Sequence, residues 1–343
     1  MRYLITGGAG FIGVNAAAHY AQQGHSVTVF DNLSRKGTKD NLEWLRREHP
    51  AVRAVTADVR TDLKILASEA AQCDVLLHLA AQVAVTTSVT DPRTDFEINA
   101  LGAFNVLEAA RQAAEPPIVL YSSTNKVYGG MEDVAVVEDA NRYRYATLPH
   151  GASEERVLDF HSPYGCSKGA ADQYVRDYAR IYGMRTVVLR QSCIYGPHQF
   201  GIEDQGWIAW FTLRGLLGQP VTVYGDGKQV RDVLYVDDLV AAFDAAIQRI
   251  DRVSGRVYNI GGGPAYTLSL LELIGLIEKM SGEKLKHSFG DWRPGDQRVY
   301  ISDIRRAHAE LGWEPKMRPE PGIARMRNWM AANRDTILRV YQP

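Results

Sequence analysis

The sequence has few cysteines: this 343-residue chain contains three, at Cys73, Cys166 and Cys193. They are scattered and odd in number and lack metal-ligand spacing, so we expect reduced thiols in small core positions and no metal site. The sequence also lacks an excess of one charge, because 39 basic residues stand against 40 acidic ones. Without a basic stripe, no nucleic-acid partner is expected.

Long apolar runs are also missing from the chain. None is long enough to span a bilayer, and the first apolar strand starts too early to leave room for a signal peptide. We therefore expect a cytoplasmic protein with no membrane partner. The length is sufficient to bury a large core, in one large domain or in two smaller ones.

The chain opens with an apolar strand that is followed by glycines and then by a helix. Gly7, Gly10 and Gly13 are placed at the turn between the two elements. Glycines let a backbone approach a pyrophosphate, which then lies at the positive end of the helix. An ordinary tight turn is the alternative explanation, so the rest of the chain has to decide between them.

The second strand, residues 26–30, leads directly into Asp31. A carboxylate at this position can accept the adenosine ribose hydroxyls and disfavours a 2′-phosphate, so the sequence favours NAD over NADP as the cofactor. Arg35 and Lys36 follow closely and temper that preference, unless they only form a solvated turn.

Strand-like and helix-like segments alternate through the first half of the chain. Further strands are predicted at residues 51–55, 75–79, 118–121 and 186–189. This alternation is typical of an α/β fold with a doubly wound parallel sheet, the Rossmann arrangement. From about Gln191 it gives way to segments rich in glycine, proline and aromatic residues, with helices predicted at 268–280 and 320–332.

This change of pattern divides the chain into two domains. We predict an NAD-binding Rossmann domain at residues 1–189, completed by part of 230–262. A smaller, interleaved C-terminal substrate domain would comprise 190–229 and 263–343.

Tyr164 and Lys168 are four residues apart in a segment that predicts a helix, so their side chains point the same way. A free phenol has a pKa of about 10, and a base near neutrality needs that pKa lowered by roughly 3 units. A neighbouring ammonium and a nicotinamide cation can supply the shift together. The spacing alone is common on amphipathic helices. Here the glycine turn precedes it, and the hydroxyl run of Ser122, Ser123 and Thr124 lies between.

These features occur together in a known family. The chain as a whole resembles the extended short-chain dehydrogenases/reductases that modify nucleotide sugars, and the resemblance implies bound NAD. The segments that carry it are 6–13, 31–32, 58–59, 78–81, Asn99, 127–129, Tyr164 with Lys168, and 231–232. The cofactor-binding residues that it implies are Gly7, Gly10, Phe11, Ile12, Gly13, Asp31, Asn32, Ser34, Arg35, Asp58, Val59, Leu79, Ala80, Gln82, Asn99, Ser122, Tyr164 and Lys168.

The same resemblance implies three catalytic roles. Tyr164 is the base, Lys168 holds the ribose and lowers the pKa of the tyrosine, and Thr124 hydrogen-bonds the sugar oxygen that is oxidised. For Thr124, a strand-end hydroxyl that satisfies the backbone is the alternative. Arg231 and Arg293 would bind the nucleotide diphosphate, because guanidinium groups match phosphate oxygens.

Gln205 and Trp207 are further candidates for contacts with the sugar or the base. Trp207 and Trp210, three residues apart, could equally form an apolar helix face. The chain also departs from the pattern of the family that it resembles at two positions. Cys193 stands where many nucleotide-sugar enzymes have Asn, which weakens the transfer of a diphosphate contact. Val83 stands where some 4-epimerases have Lys, which argues against a plain UDP-galactose 4-epimerase.

The residues after Thr124 discriminate among the reactions of the family. Members that eliminate water resemble one another in having Asp-Glu there, since dehydration needs an extra acid and base beside the sugar. This chain has Asn125 and Lys126 instead. A dehydratase is therefore disfavoured, and an epimerase or a simple reductase remains.

Four further segments, 31–37, 82–88, 158–174 and 204–207, resemble the CDP-tyvelose (CDP-paratose) 2-epimerase branch of the family. That resemblance implies a CDP-linked sugar that NAD oxidises at C2, rotation of the 2-keto intermediate and return of the hydride to its other face. A homo-oligomer, dimer or tetramer, is also expected.

The alternatives are an NDP-sugar 4-epimerase of the UDP-glucose/galactose type, a 2-epimerase of another CDP-hexose, an NAD-dependent reductase and a regulatory protein that only binds the cofactor. The intact set of Thr124, Tyr164 and Lys168 argues against the last of these. An insert at residues 130–162 fits the 2-epimerase branch better than compact 4-epimerases. It carries no chemistry that its residue types reveal, and it predicts either a lid or a surface loop.

Overall fold

Strands and helices alternate from the first residues of the computed structural model, which describes residues 1–293 and 295–341. The strands are β1 (Arg2–Thr6), β2 (Ser26–Asp31), β3 (Arg53–Thr56), β4 (Val75–His78), β5 (Ile118–Thr124), β6 (Val136–Glu138), β7 (Tyr143–Tyr145), β8 (Thr186–Gln191), β9 (Cys193–Tyr195), β10 (Val221–Tyr224), β11 (Val230–Tyr235), β12 (Arg256–Ile260), β13 (Thr267–Ser269), β14 (His287–Gly290) and β15 (Val299–Tyr300).

The helices connect these strands and cover the sheets that they form. They are α1 (Phe11–Gln22), α2 (Thr38–Glu48), α3 (Leu63–Ala70), α4 (Val85–Thr90), α5 (Pro92–Phe96), α6 (Gly102–Arg111), α7 (Ser162–Tyr182), α8 (Trp207–Leu216), α9 (Val236–Gln248), α10 (Ile250–Val253), α11 (Leu270–Ser281), α12 (Arg305–Leu311), α13 (Pro319–Ala332) and α14 (Arg334–Tyr341). A π-helical turn spans Glu97–Leu101, and a 3₁₀ turn spans Asn125–Tyr128.

Seven parallel strands form the large sheet, in the order β12-β8-β5-β4-β1-β2-β3. The predicted α/β fold with a doubly wound parallel sheet is therefore confirmed. Apolar side chains of α1, α2 and α9 pack on one face of the sheet, and those of α3, α6 and α7 pack on the other. Burial on both faces explains why these strands are continuous apolar runs in the sequence.

Strand β5 is longer than the sequence predicted. It continues past Tyr121 to Thr124, because Ser122, Ser123 and Thr124 pair with the last residues of β8. The hydroxyl run is thus part of the sheet, and Thr124 occupies the carboxyl end of its strand. This position directs the run toward the edge where ligands of parallel sheets bind.

A second group of strands lies beyond residue 190. Strand β11 is its centre and pairs with β9, β13 and β15, while β10 and β14 form a separate parallel pair. Helices α8, α11 and α13 contribute to the apolar core around these strands. Between β11 and β13 the chain returns to the large sheet: α9 packs on that sheet, and β12 forms one of its edges.

The insert at residues 130–162 is not a plain surface loop, because Met131, Tyr145 and Ala152 are buried, so that expectation was wrong; its role as a lid stays a prediction. The insert is held next to the second group of strands at two places. In its hairpin, β6 with β7, Tyr143 N donates to Lys228 O at 2.8 Å, and after the hairpin Ala152 N donates to Ile301 O at 2.8 Å. Tyr145 and other apolar residues of the insert are buried with residues of β11 and β15. The insert therefore supports the strands that carry the predicted substrate residues.

No helix in the described residues is both long and apolar enough to cross a membrane. Within residues 1–293 and 295–341, no cluster of three or more His, Cys, Asp or Glu side chains could hold a metal ion.

Candidate active site

The candidate site lies at the carboxyl edge of the large sheet, where the strand order reverses between β1 and β4. The glycine turn after β1 approaches this point closely. Gly7 has a φ of +69°, and a Cβ there would lie 2.6 Å from Ala80 N. A Cβ at Gly13 would lie 2.6 Å from the Gly8 Cα. Both positions therefore require glycine, and the resulting cradle at the start of α1 suits a pyrophosphate.

Asp31 at the end of β2 faces this cradle. Its carboxylate accepts hydrogen bonds from Ala9 N at 3.1 Å and from Leu33 N at 2.8 Å. Burial raises the pKa of Asp31 above its ordinary value, although these backbone hydrogen bonds act in the opposite direction. A partly buried acceptor beside a glycine cradle is the arrangement that a dinucleotide needs for its adenosine ribose.

The neighbouring candidates hold each other in place. Asn32 Nδ2 donates to Asp58 Oδ2 at 2.8 Å, and Ser34 N donates to Asn32 Oδ1 at 3.1 Å. The hydrogen bond from Arg60 to Asp58 lowers the pKa of this carboxyl to about 2. The side chain of Val59 is buried in the core beneath α6. Together these residues fix the loops that follow β2 and β3.

A polar network links the loop after β4 to helix α7. Gln82 N donates to Asn99 Oδ1 at 2.9 Å, and Asn99 Nδ2 donates to Gln82 O at 3.1 Å. Both side chains also donate to the buried Asp95, which accepts a further hydrogen bond from Ser167 Oγ at 2.5 Å. Asp95 could not be recognised from residue types, because a carboxylate in a short helix is usually solvated.

A cavity of about 370 Å³ extends from the glycine turn to the second group of strands. Eleven of the predicted site residues line it: Phe11, Ile12, Leu79, Ser122, Thr124, Tyr164, Lys168, Gln205, Trp207, Arg231 and Arg293. The others do not line it: Gly7, Gly10, Gly13, Asp31, Asn32, Ser34, Arg35, Asp58, Val59, Ala80, Gln82 and Asn99. The predicted catalytic and substrate residues thus share one cavity, while most of the predicted cofactor residues surround its cradle end.

Tyr164 and Thr124 meet on the wall of this cavity. Tyr164 is 8% exposed, and Thr124 is 7% exposed. Burial raises the pKa of Tyr164 to about 12, and a hydrogen bond with the Thr124 hydroxyl opposes that rise. Within the protein itself desolvation outweighs that hydrogen bond, and the lowering of the tyrosine pKa by Lys168 and a nicotinamide cation together stays a prediction.

Lys168 is buried one helical turn after Tyr164. Its Nζ donates to Ser122 O at 2.5 Å and lies 4.3 Å from the centroid of the Tyr121 ring. Burial lowers the pKa of Lys168 to about 7, against the opposite effect of Asp172 and Asp95. The lysine is thus held at the end of β5, one helical turn from the tyrosine.

The second group of strands supplies the cationic side of the cavity. Arg231 on β11 is 9% exposed and donates to Val230 O at 2.9 Å. Arg293 forms an ion pair with Asp204 at 3.1 Å and lies 3.7 Å from the centroid of the Tyr224 ring. Two guanidinium groups on one wall can bind an anion such as a diphosphate.

Gln205 and Trp207 also line the cavity: Gln205 lies just before α8, and Trp207 is the first residue of that helix. Arg35 Nη2 donates to Gln205 Oε1 at 3.1 Å, which joins the loop after β2 to the second group of strands. Trp207 Nε1 donates to Cys193 Sγ at 3.5 Å, while Trp210 packs into the apolar core. Trp207 therefore contributes both to the cavity and to the apolar face of its helix.

Lys126 is a residue of the cavity that sequence reasoning treated only as a missing acid. It lies in the 3₁₀ turn directly after Thr124, whose hydroxyl accepts a hydrogen bond from Lys126 N at 3.2 Å. Its position two residues after Thr124 was the only feature of the sequence that could have identified it as a residue of the cavity. Side-chain direction at the end of a strand depends on the turn that follows, which residue types alone did not reveal.

Comparison with known proteins gives three kinds of match. The family model described as "NAD dependent epimerase/dehydratase family" matches residues 3–261. The CDP-paratose 2-epimerase of Salmonella typhi is 44% identical over 339 residues, which cover 97% of this chain and 100% of that protein. A putative UDP-glucose 4-epimerase of Methanocaldococcus jannaschii is 33% identical, over 97% of this chain and 99% of its own.

Solved structures share the whole fold. The dTDP-glucose 4,6-dehydratase DesIV of Streptomyces venezuelae, solved with NAD and TYD bound, has a TM-score of 0.84 and 30% identity, and the match covers 98% of each chain.

Proposed function

The chain belongs to the NAD dependent epimerase/dehydratase family, and from that premise we propose that it inverts C2 of a CDP-linked sugar in the manner of CDP-paratose 2-epimerase. One observation carries the proposal: Thr124, Tyr164 and Lys168 line the same cavity as Arg231 and Arg293. A proton acceptor and a diphosphate-binding wall are thereby combined in one site.

The cradle formed by Gly7 and Gly13, with the Asp31 carboxylate beside it, fits NAD. Bound there, NAD would accept a hydride from the sugar carbon and later return it. Lys168 would hold the nicotinamide ribose. Burial raises the pKa of Tyr164 to about 12, and the positive charge of the bound cofactor together with the Lys168 ammonium would supply the lowering that a base requires.

Tyr164 would take the proton of the C2 hydroxyl while Thr124 hydrogen-bonds the same oxygen. After the keto sugar turns over, the same two side chains would return the proton to the oxygen, so one base serves both half-reactions. Arg231 and Arg293 would hold the diphosphate throughout. No extra acid and base are needed, which agrees with Asn125 and Lys126 after the threonine.

A panel of CDP-, UDP- and GDP-sugars, with NMR assignment of the inverted carbon, tests this proposal. We expect a CDP-sugar to be inverted at C2, and a deuterium label at C2 to be retained in ordinary water because the hydride returns from the cofactor. Loss of the label would indicate carbanion chemistry instead. Inversion at C4 would favour an NDP-sugar 4-epimerase, and inversion of another CDP-hexose would change only the sugar.

We also propose that the protein is a cytoplasmic homo-oligomer, a dimer or a tetramer. Apolar side chains on α5 to α7 support it: Phe96, Phe104, Tyr174 and Ile181 are exposed, with Ile181 at 65%. Neighbouring exposed apolar residues are frequent at protein interfaces. Light scattering on the purified protein measures the oligomeric state, and a monomer would contradict the proposal.

The division into two domains remains a proposal. We propose an NAD-binding domain of residues 1–189, completed by part of 230–262, and a nucleotide-sugar-binding domain of 190–229 and 263–343. The place of β12 in the large sheet and of β11 in the second group supports an interleaved division.

A further inference from the structure

The Lys126 ammonium faces the cavity with neutral partners. Its Nζ lies 3.2 Å from Gly295 O and 3.5 Å from Gln297 Oε1. Among the described residues, no carboxylate forms an ion pair with it. An ammonium has three donors and prefers charged acceptors, so these two long contacts leave it able to bind an anion.

The surroundings of Lys126 make an anionic ligand more favourable still. Burial lowers the pKa of Lys126 to about 8, and the neighbouring Arg231 adds to that effect. Asp296 and Cys193 act in the opposite direction but do not outweigh it. Two adjacent cations on a cavity wall repel each other, and an anion that contacts both relieves the repulsion.

The chemistry of a nucleotide sugar says which anion would reach this place. The diphosphate is attached to C1, so C2 is the carbon next to it, whereas C4 lies on the far side of the ring. An enzyme that reacts at C2 must bring the phosphate nearest the sugar close to its catalytic hydroxyls. Lys126 follows Thr124 by two residues, and both line the cavity.

We propose that Lys126 binds the sugar-linked phosphate of the substrate and thereby presents C2, rather than a more distant carbon, to Tyr164 and Thr124. This inference rests on the proposed function. Lys126 is then a specificity-determining residue, since it fixes the end of the sugar that lies beside the base. The phosphate also becomes the fixed point about which the sugar turns.

Binding of CDP and CMP to the NAD-loaded protein tests the inference by calorimetry, because only CDP carries the second phosphate. In Lys126→Gln, the side chain stays polar but loses its charge. We expect CDP affinity to fall by about 10-fold or more, the scale of a hydrogen bond to a charged group, and CMP affinity to change little. Lys126→Arg, which keeps the charge, should retain most of the CDP affinity.

Lys279→Gln is the matched control, because it removes the same charge from an exposed site where Lys279 pairs with Glu320. Unchanged CDP affinity in Lys126→Gln, or equal losses for CDP and CMP, would overturn the inference. Retained NAD content and an unchanged melting temperature would establish that Lys126→Gln folds. If Lys126→Gln does not fold, Lys126→Arg is tested in its place, and loss of CDP affinity in Lys126→Arg would overturn the inference. Inversion at C4 by the unaltered protein would refute the proposed function but not the difference between CDP and CMP.

Discussion

The Arg190 guanidinium donates two hydrogen bonds to the Asp172 carboxylate, from Nε to Oδ2 and from Nη2 to Oδ1, both at 2.9 Å. Both side chains are almost completely buried, at 1% and 0% exposure. Ser123 Oγ donates to the same carboxylate at 2.8 Å. The pair therefore joins α7, which carries Tyr164, to β8 and to the end of β5, which carries Thr124.

Replacing Asp172 with Asn should destabilise the fold strongly. The Arg190 charge would stay buried without its partner, which typically costs about 3–5 kcal/mol. Urea denaturation measures the free energy of unfolding. Asp177→Asn, on an exposed position of the same helix, should change it by less than about 0.5 kcal/mol. Similar losses in the two variants would contradict the importance of the buried pair.

Tyr164→Phe should lower turnover by at least about 100-fold, because it removes the proton acceptor and keeps the ring. NAD content and melting temperature should stay nearly unchanged, since the hydroxyl faces the cavity. Turnover is measured on the nucleotide sugar that the NMR panel identifies. Tyr182→Phe, at an exposed position of the same helix, is the control and should retain activity. Near-normal epimerisation by Tyr164→Phe would place the base elsewhere.

Asp31 should determine that the purified protein carries NAD rather than NADP. Mass spectrometry of the nucleotide released on denaturation identifies the cofactor, and predominant NADP would refute the assignment. Asp31→Ala should weaken NAD binding by roughly 1.5–3 kcal/mol through the loss of a charge-assisted hydrogen bond. Glu115 is an exposed acid outside the site, and Glu115→Gln should leave NAD binding unchanged.

His78 should make the protein less stable in acid. Burial lowers its pKa from 6.5 to about 3, so the unfolded chain binds a proton in a pH range where the folded protein does not. Stability therefore falls as the pH drops from about 6.5 toward 3. In His78→Asn, the fall should be less steep by up to roughly 1.4 kcal/mol per pH unit. Urea denaturation at several pH values measures it.

The exposed His308 provides the control for that measurement. His308→Asn should follow the unaltered protein across the whole range. Equal pH dependence in His78→Asn and the unaltered protein would show that the buried ring is not the source.

The large sheet could be predicted from the sequence because each strand is a local apolar run. Gly7, Gly13 and Asp31 were predictable for the same reason, since the turn and the strand end that place them are local. The contacts of the insert were not, because Ala152 pairs with a residue about 150 positions later. Nothing local to either segment encodes such a pairing.

The pKa values of the site residues could not be predicted from the sequence either. The spacing of Tyr164 and Lys168 predicted a helix face correctly, yet the pKa of Tyr164 depends on how completely the tertiary fold excludes water. Lys126 illustrates the same limit, because its direction follows from the 3₁₀ turn and from the distant Gly295 that it contacts.

Strand β11 has hydrogen-bonded neighbours along its whole length, with β13 and β15 beside its first half and β9 beside its second. A strand paired in this way resists displacement by a ligand, and the backbone of Arg231 near its start is held with it. Compounds designed for this cavity should therefore keep the charged group that meets Arg231 and vary the opposite end. Such compounds should lose affinity when their shape changes beside β11, and less affinity when it changes at the end of the cavity away from this strand.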